Sequence, residues 1–158
     1  MLAIVVLLLQ GSVSSAVETG IVTGQILSND GGPLSGVSVL VMVRGVQDGR
    51  AQLTPIGVSV PGTIAQTDGQ GQYRLANIPP GKYYIVAQAP AVGNSGEPTS
   101  RNGDVINLPT LYPGVSTLDD AKRIDVTPGS EVHLIDFSII RGRGMRVRGQ
   151  VFDATTGS

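Results

Sequence analysis

The residue with the widest chemical repertoire in this sequence is its one histidine, His133. A catalytic triad would need that imidazole beside a serine and a carboxylate, and the sequence has no nucleophile-elbow motif around a serine. A zinc site needs several nitrogen or sulfur ligands, whereas the chain has one histidine and no cysteine. His133 lies in a predicted strand, opposite in phase to Val132 and Leu134. We therefore expect an exposed strand histidine with no catalytic or metal-binding role.

Carboxylates are the second source of chemistry. Asp119, Asp120 and Asp136 could supply the acid and base of a glycosidase, but the adjacent pair lies in a loop without the apolar surroundings that a general acid needs. Asp68 could bind calcium, but a calcium site takes several oxygen ligands and this segment offers one carboxylate. The sequence thus predicts no catalytic residue, no metal site, no cofactor and no enzyme.

Aromatic side chains decide whether the chain could bind sugars, because sugar sites commonly present flat rings. The chain has no Trp, two Phe and four Tyr. Tyr73 and Tyr83 are expected in the core, which leaves Tyr84 and Tyr112 as the candidate glycan contacts. Two scattered tyrosines make a small platform, so a weak carbohydrate-binding module is an alternative function and not the leading one.

No segment after residue 16 keeps the apolar periodicity of a helix over three turns. We therefore expect strands and their turns to position the candidate residues. Glycine (22 residues) and proline (10 residues) are abundant while hydrophobic residues reach 41%, which is typical of many short strands joined by tight turns. The apolar and alternating segments predict an all-β fold with strands at 20–28, 37–44, 62–67, 72–76, 82–89, 122–127 and 131–140, and an eighth that begins near 145.

Two of these strands are predicted in more detail. Residues 37–43 are apolar on both faces, which favours a central strand covered on both sides. Residues 82–88 alternate, and we expect the core face to be the one that carries Tyr83, Ile85 and Ala87.

Irregular backbone is predicted at three places. Within 131–140 the apolar phase changes at Leu134–Ile135, which indicates a β-bulge. Residues 45–61 and 90–121 are predicted as long loops, and loops of such length are often functional or mobile.

The amino terminus predicts export. Residues 2–9 form an uninterrupted apolar run, and Ser14 and Ala16 are small residues at the positions required for cleavage after Ala16. The run is too short to span a bilayer. We therefore expect a signal peptide over 1–16 and a secreted, periplasmic or cell-surface location. A net charge of −1 argues against nucleic-acid partners.

An internal repeat links the two ends of the sequence. Residues 22–27 (Val-Thr-Gly-Gln-Ile-Leu) align without gaps to residues 147–152 (Val-Arg-Gly-Gln-Val-Phe). We expect 145–158 to be the first strand of a second module, following a first module over 17–144. The arginines at its start suit either a solvated edge strand or a docking strand, and the interaction residues would be Arg146, Val147, Arg148, Val151 and Phe152.

Residues 67–83, Thr-Asp-Gly-Gln-Gly-Gln-Tyr-Arg-Leu-Ala-Asn-Ile-Pro-Pro-Gly-Lys-Tyr, resemble the signature of carboxypeptidase-regulatory-like domains. In that family a D-x-x-G turn, a strand, P-P-G and an aromatic residue follow in this order. Residues 22–39 resemble the family's first two strands, and 112–137 resemble the ending of modules found in tandem in exported bacterial proteins. The resemblance implies an Ig-like or prealbumin-like antiparallel β-sandwich of about seven strands, related to transthyretin-like and starch-binding-like folds. It also implies that Asp136 points outward between core residues.

These patterns together predict a non-catalytic structural or interaction module of an exported cell-envelope or secreted protein. Its expected partners are neighbouring modules of the same chain or other envelope proteins. Two alternatives are a weak carbohydrate-binding module that recognises polysaccharide, and a filament subunit that self-assembles by donating residues 145–158 to the sheet edge of a neighbour.

Overall fold

The computed structural model describes residues 17–57, 60–90 and 105–143. These residues form strands and no helix, and none of them could therefore cross a membrane as a helix. The strands are β1 (Gly20–Leu27), β2 (Ser38–Gln47), β3 (Arg50–Pro55), β4 (Ile64–Gln66), β5 (Gln72–Ile78), β6 (Gly81–Gln88), β7 (Val105–Asn107), β8 (Thr110–Leu111), β9 (Ile124–Val126), β10 (Glu131–Val132), β11 (Phe137–Ser138) and β12 (Arg141–Arg143).

The strands build two sheets and a separate β7–β12 pair. In the first sheet β1 is central, with β5 antiparallel on one edge and β10 and β11 in succession along the other. In the second sheet β2 and β6 are central neighbours. The outer edge of β2 pairs with β3 and β4, and the outer edge of β6 pairs with β8 and β9.

The two sheets pack face to face on one apolar core. Strand alternation turns Val22, Ile26 and Leu75 of the first sheet toward Val39 and Ile85 of the second, and each of these side chains is at most 1% exposed. Because inward side chains of both sheets share one buried cluster, the fold is a β-sandwich, as the sequence predicts.

The second sheet is buried on its other face as well. Tyr84, Val86 and Leu111 form a second buried cluster, covered in part by Val115 and Leu118 from the segment that follows β8. The prediction that 37–43 is a central strand is confirmed by the pairing of β2 on both edges. The choice of Tyr83, Ile85 and Ala87 as core residues is also confirmed, since each is at most 7% exposed.

The prediction of a loop over 45–61 is wrong for its first half. Strand β2 continues to Gln47 and pairs with β3 around a two-residue turn, in which Asp48 and Gly49 have φ angles of 51° and 74°. Positive φ at both central positions is the geometry of a type I′ hairpin turn, for which Asp-Gly is a preferred sequence. The predicted loop 90–121 likewise contains the short strands β7 and β8.

The predicted strand 131–140 is interrupted at the place where the phase change predicts a β-bulge. Leu134 has a φ of 61° and is 80% exposed, while Ile135 beside it is 7% exposed. The interruption separates β10 from β11, and both run parallel to β1, with Ile21 opposite Glu131 and Ile26 opposite Phe137. The other pairings within the two sheets are antiparallel, as predicted, so these two parallel pairings are exceptions at this edge.

Candidate functional site

A groove of about 690 Å³ lies on the outer face of the first sheet. It follows from strand alternation, because the residues of β1 and β5 that do not enter the core must face outward. The side chains that line it include Thr23, Gln25, Gln72, Arg74, His133 and Asp136. The groove therefore gathers hydrogen-bonding groups from β5, from β1 and from the interrupted β10–β11 edge.

His133 makes one contact across the junction between β1 and this edge, with Thr23, and one with Glu131 on its own side of the junction. Its Nδ1 lies 2.9 Å from the hydroxyl oxygen of Thr23, within hydrogen-bond distance. Its Nε2 lies 3.9 Å from Oε2 of Glu131, and the two side chains are 58% and 48% exposed. The order hydroxyl, imidazole, carboxylate is that of a triad, but 3.9 Å is longer than a triad hydrogen bond and the groups face solvent. The contact with Thr23 links β1 to the residue that follows β10, and His133 is exposed as predicted.

Asp136 makes the closest polar contact at the interruption. Its Oδ1 accepts a hydrogen bond from the backbone N–H of Gln25 at 2.7 Å. Leu134 has a positive φ and interrupts the pairing of this edge with β1. The N–H of Gln25 therefore bonds to the side-chain oxygen of Asp136 and not to a backbone carbonyl. Asp136 points outward, as the resemblance implies, and it serves to join strands.

Tyr73 contacts the same interruption between β10 and β11 from the core side of the sheet. Its hydroxyl donates to the carbonyl oxygen of Ile135 at 2.7 Å, and its ring is 4% exposed. Burial raises the pKa of Tyr73 well above its ordinary value, and the charge of Asp136 adds to this effect. Gly24 is required between them, because a Cβ at this position would overlap the Ile135 carbonyl and approach the tyrosine hydroxyl.

The other acidic candidates have separate structural contacts. Oδ1 of Asp68 accepts hydrogen bonds from the N–H groups of Gln70 and Gln72, both at 2.9 Å, so Asp68 holds the turn before β5. Oδ2 of Asp120 accepts a hydrogen bond from the hydroxyl of Thr117. Across the described ranges, no three His, Asp or Glu side chains gather as metal ligands would.

The two candidate glycan contacts do not form one platform. Tyr84 is 5% exposed and packs in the second buried cluster, so its ring offers no face to a sugar. Tyr112 packs on the main core, edge-on to Phe137 with 5.9 Å between ring centroids. The backbone N–H of Tyr112 bonds to Ile85 across from β6, which places the two tyrosines on opposite faces of the same sheet.

The remaining sequence predictions fall on residues that the structure does not describe. These are the signal peptide at 1–16 and the interaction strand with Arg146, Val147, Arg148, Val151 and Phe152. Both stay predictions.

Sequence signals for the junction were weak. The phase change at Leu134 marks where β10 ends, and Gly24 within Val-Thr-Gly-Gln marks a close approach of backbone. Neither signal reveals the pairing of Gln25 with Asp136, because the two residues are 111 positions apart in the chain.

Comparison with known proteins gives loose structural likenesses. No family model and no curated protein matches the sequence. Among solved structures, the major pilin subunit BcpA of Bacillus cereus is similar at 19% identity and a TM-score of 0.40, over 77% of this chain and 30% of the pilin. An (S)-allantoin synthase is similar at 17% identity and a TM-score of 0.36, over 82% of this chain and 45% of the synthase. A candidate carbohydrate-binding protein from Pseudomonas aeruginosa is similar at 16% identity and a TM-score of 0.30, over 77% of this chain and 89% of that protein. The chain thus spans less than half of the first two proteins, and its fold is established by its own strand pairing and core.

Proposed function

We propose that this chain is a non-catalytic spacer module of the carboxypeptidase-regulatory-like kind, within a larger exported envelope or secreted protein. The observation that carries the proposal is the parallel pairing of β1 with β10 and β11. Because β1 and β11 run parallel, the chain enters β1 at one end of the first sheet and leaves β11 toward the other end, before it continues into β12. Modules with this path could follow one another in a row, which fits the second module that the repeat at 147–152 predicts.

The length of the module follows from β1. Its eight residues span roughly 26 Å at about 3.3 Å per residue, so each module would separate its neighbours by at least that distance. If the second module begins at Met145, one residue separates it from the end of β12 at Arg143. So short a connection would restrict the angle between successive modules.

The motif behind the family resemblance has a structural role that fits a spacer. Asp68 fixes the turn into β5 of the first sheet, and Pro79-Pro80-Gly81 leads from β5 into β6 of the second sheet. The motif is thus the crossing between the two layers. His133 and Asp136 are side chains that could do chemistry, but their hydrogen bonds join strands of the first sheet.

Three versions of the larger protein would test the proposal: the intact protein, one without residues 17–143, and one in which an unrelated sandwich with ends at opposite poles replaces them. A spacer predicts that display of the flanking parts at the cell surface fails on deletion and is restored by the replacement. If the replacement fails while its fold is intact, the module contributes a specific binding surface and the spacer proposal is wrong.

A further inference from the structure

We infer that this module carries mechanical load, with the junction between β1 and β10–β11 as the element that resists tension between the two ends of the chain. The inference rests on the proposed spacer function, because a spacer between anchored parts of a surface protein is pulled at both ends. We define the load junction as β1, β10, β11 and the side chains that join them.

The direction of the strands determines how the load junction is stressed. Force on the amino-terminal side pulls β1 back toward Gly20, while force on the carboxy-terminal side pulls β11 onward past Ser138. Since these strands are parallel neighbours, the two forces slide them past each other along their axes. The hydrogen bonds lie across the direction of sliding and must break together. Strands pulled apart from one end lose their bonds one after another.

Main-chain bonds extend along the whole of β1. At its start the Ile21 N–H donates to the Ser130 carbonyl at 2.9 Å, and near its middle the Thr23 carbonyl accepts from Ile135 at 3.1 Å. At its last residue, the Leu27 carbonyl accepts from the Ile139 N–H at 2.9 Å. Each such bond stabilises the fold by only about 1 kcal/mol net, so resistance depends on their being loaded at the same time.

Side chains complete the load junction where the main chain is interrupted. Between β10 and β11 the Gln25 N–H is held by Asp136 at 2.7 Å, and Thr23 contacts His133 at 2.9 Å. On the inner side Tyr73, from the strand on the opposite edge of β1, holds the Ile135 carbonyl across Gly24. The interruption is therefore linked from both faces of the sheet, and sliding must break these bonds as well.

Two pulling directions on the full chain test the inference, and the lack of cysteine allows each direction to be set by one pair of introduced thiols. Val17→Cys with Arg141→Cys pulls the load junction in the sliding direction, because the sites lie before β1 and after β11. Val17→Cys with Thr127→Cys pulls β1 and β10 apart from their common end, since Ile21 pairs with Glu131. All three replaced residues are exposed.

In single-molecule force measurements at one loading rate, we expect the 17/141 pair to unfold at a severalfold higher force than the 17/127 pair. Equal forces for the two pairs would overturn the inference. Circular dichroism and urea midpoints of both variants, matched to the parent chain, would show that the cysteines leave the fold intact.

Asp136→Ala provides a second test with a matched control. We expect it to lower the unfolding force of the 17/141 pair and to leave the 17/127 force unchanged, while Asp125→Ala changes neither. Asp125 is an exposed carboxylate in β9 whose partner is Lys82 at 3.5 Å, away from the load junction. An equal drop in both directions would mean that Asp136 acts through overall stability, and would contradict its role in bearing load.

Failure of this inference is distinguishable from failure of the spacer proposal. Spectroscopic distances between labels at 17 and 141, and between labels at 17 and 127, report the path of the chain without force. A longer 17–141 distance with equal unfolding forces would retain the spacer and remove the load-bearing role. A 17–141 distance no longer than the 17–127 distance would remove both.

Discussion

Oδ1 of Asp136 accepts a hydrogen bond from the backbone N–H of Gln25 at 2.7 Å, at the one place along β1 where the neighbouring edge passes from β10 to β11. An unpaired N–H between two strands costs stability, and here a carboxylate supplies the missing acceptor. The charge also makes the bond stronger than a neutral one. The carboxylate of Asp136 thus compensates for the interruption in backbone pairing between β10 and β11.

Asp136→Ala should lower the free energy of unfolding by about 1 kcal/mol, because the Gln25 N–H then has no protein acceptor. Asp136→Asn keeps an acceptor and should recover part of the loss. Urea denaturation measures both, with Asp125→Ala as the control carboxylate, since its ion pair with Lys82 is exposed and worth little. Equal stability of the Asp136→Ala and Asp125→Ala variants would contradict the assignment.

Gly24→Ala should destabilise the fold by about 1–3 kcal/mol, since the added methyl group meets the Ile135 carbonyl and the Tyr73 hydroxyl. Gly69→Ala is the matched control, because a Cβ there has no heavy atom within 4 Å. Thermal unfolding of the two variants measures the difference. A Gly24→Ala variant as stable as Gly69→Ala would contradict the close approach of Ile135 to β1.

Features of the fold that depend on side-chain alternation can be predicted from the sequence. The core phase of β6 and the phase change at Leu134–Ile135 both follow from which neighbours are apolar, so they could be predicted. The hairpin after β2 was missed because β3 is almost wholly exposed and shows no alternation. Its signal lay in the turn, where Asp48-Gly49 is a preferred type I′ pair.

Features of the fold that depend on pairing between strands far apart in the sequence cannot be predicted in this way. Parallel alignment of β1 with β10 joins residues more than a hundred positions apart, and no local pattern encodes it. Burial of Tyr84 depends on the segment around Leu118, which covers the sheet without strand periodicity. The sequence thus predicts the sandwich and the core face of β6. It does not predict the segment that covers the outer face of the second sheet, or the contacts that join β1 to β10 and β11.

Tyr84→Ala should cost about 3–5 kcal/mol of stability, the usual cost of removing a buried aromatic ring. Tyr112→Ala should cost less, since Tyr112 is only half-buried. Chemical denaturation measures both, and affinity electrophoresis in polysaccharide gels measures sugar binding. Retardation of the parent chain that is lost in Tyr112→Ala, with the fold intact, would favour the carbohydrate-binding alternative over packing alone.

Alkaline unfolding tests the environment of Tyr73. Its pKa is raised in the folded state, chiefly by burial, so at high pH the folded state keeps a proton that the unfolded state releases. This stabilising contribution is complete below the ordinary tyrosine pKa of about 10 and is lost as pH rises above it, by up to about 1.4 kcal/mol per pH unit. Burial also raises the pKa of Tyr83, which adds a second contribution of the same sign.

Tyr73→Phe should therefore be less stable than the parent near neutral pH by about 1 kcal/mol, because the bond to the Ile135 carbonyl is lost. Above about pH 10 its stability should fall less steeply with pH than that of the parent, because only Tyr83 of the two raised groups still titrates. Urea midpoints at a series of pH values measure both effects. Parallel curves for the two proteins would contradict a raised pKa at Tyr73, whereas convergence at high pH would show that this buried hydroxyl holds its proton against the Ile135 carbonyl.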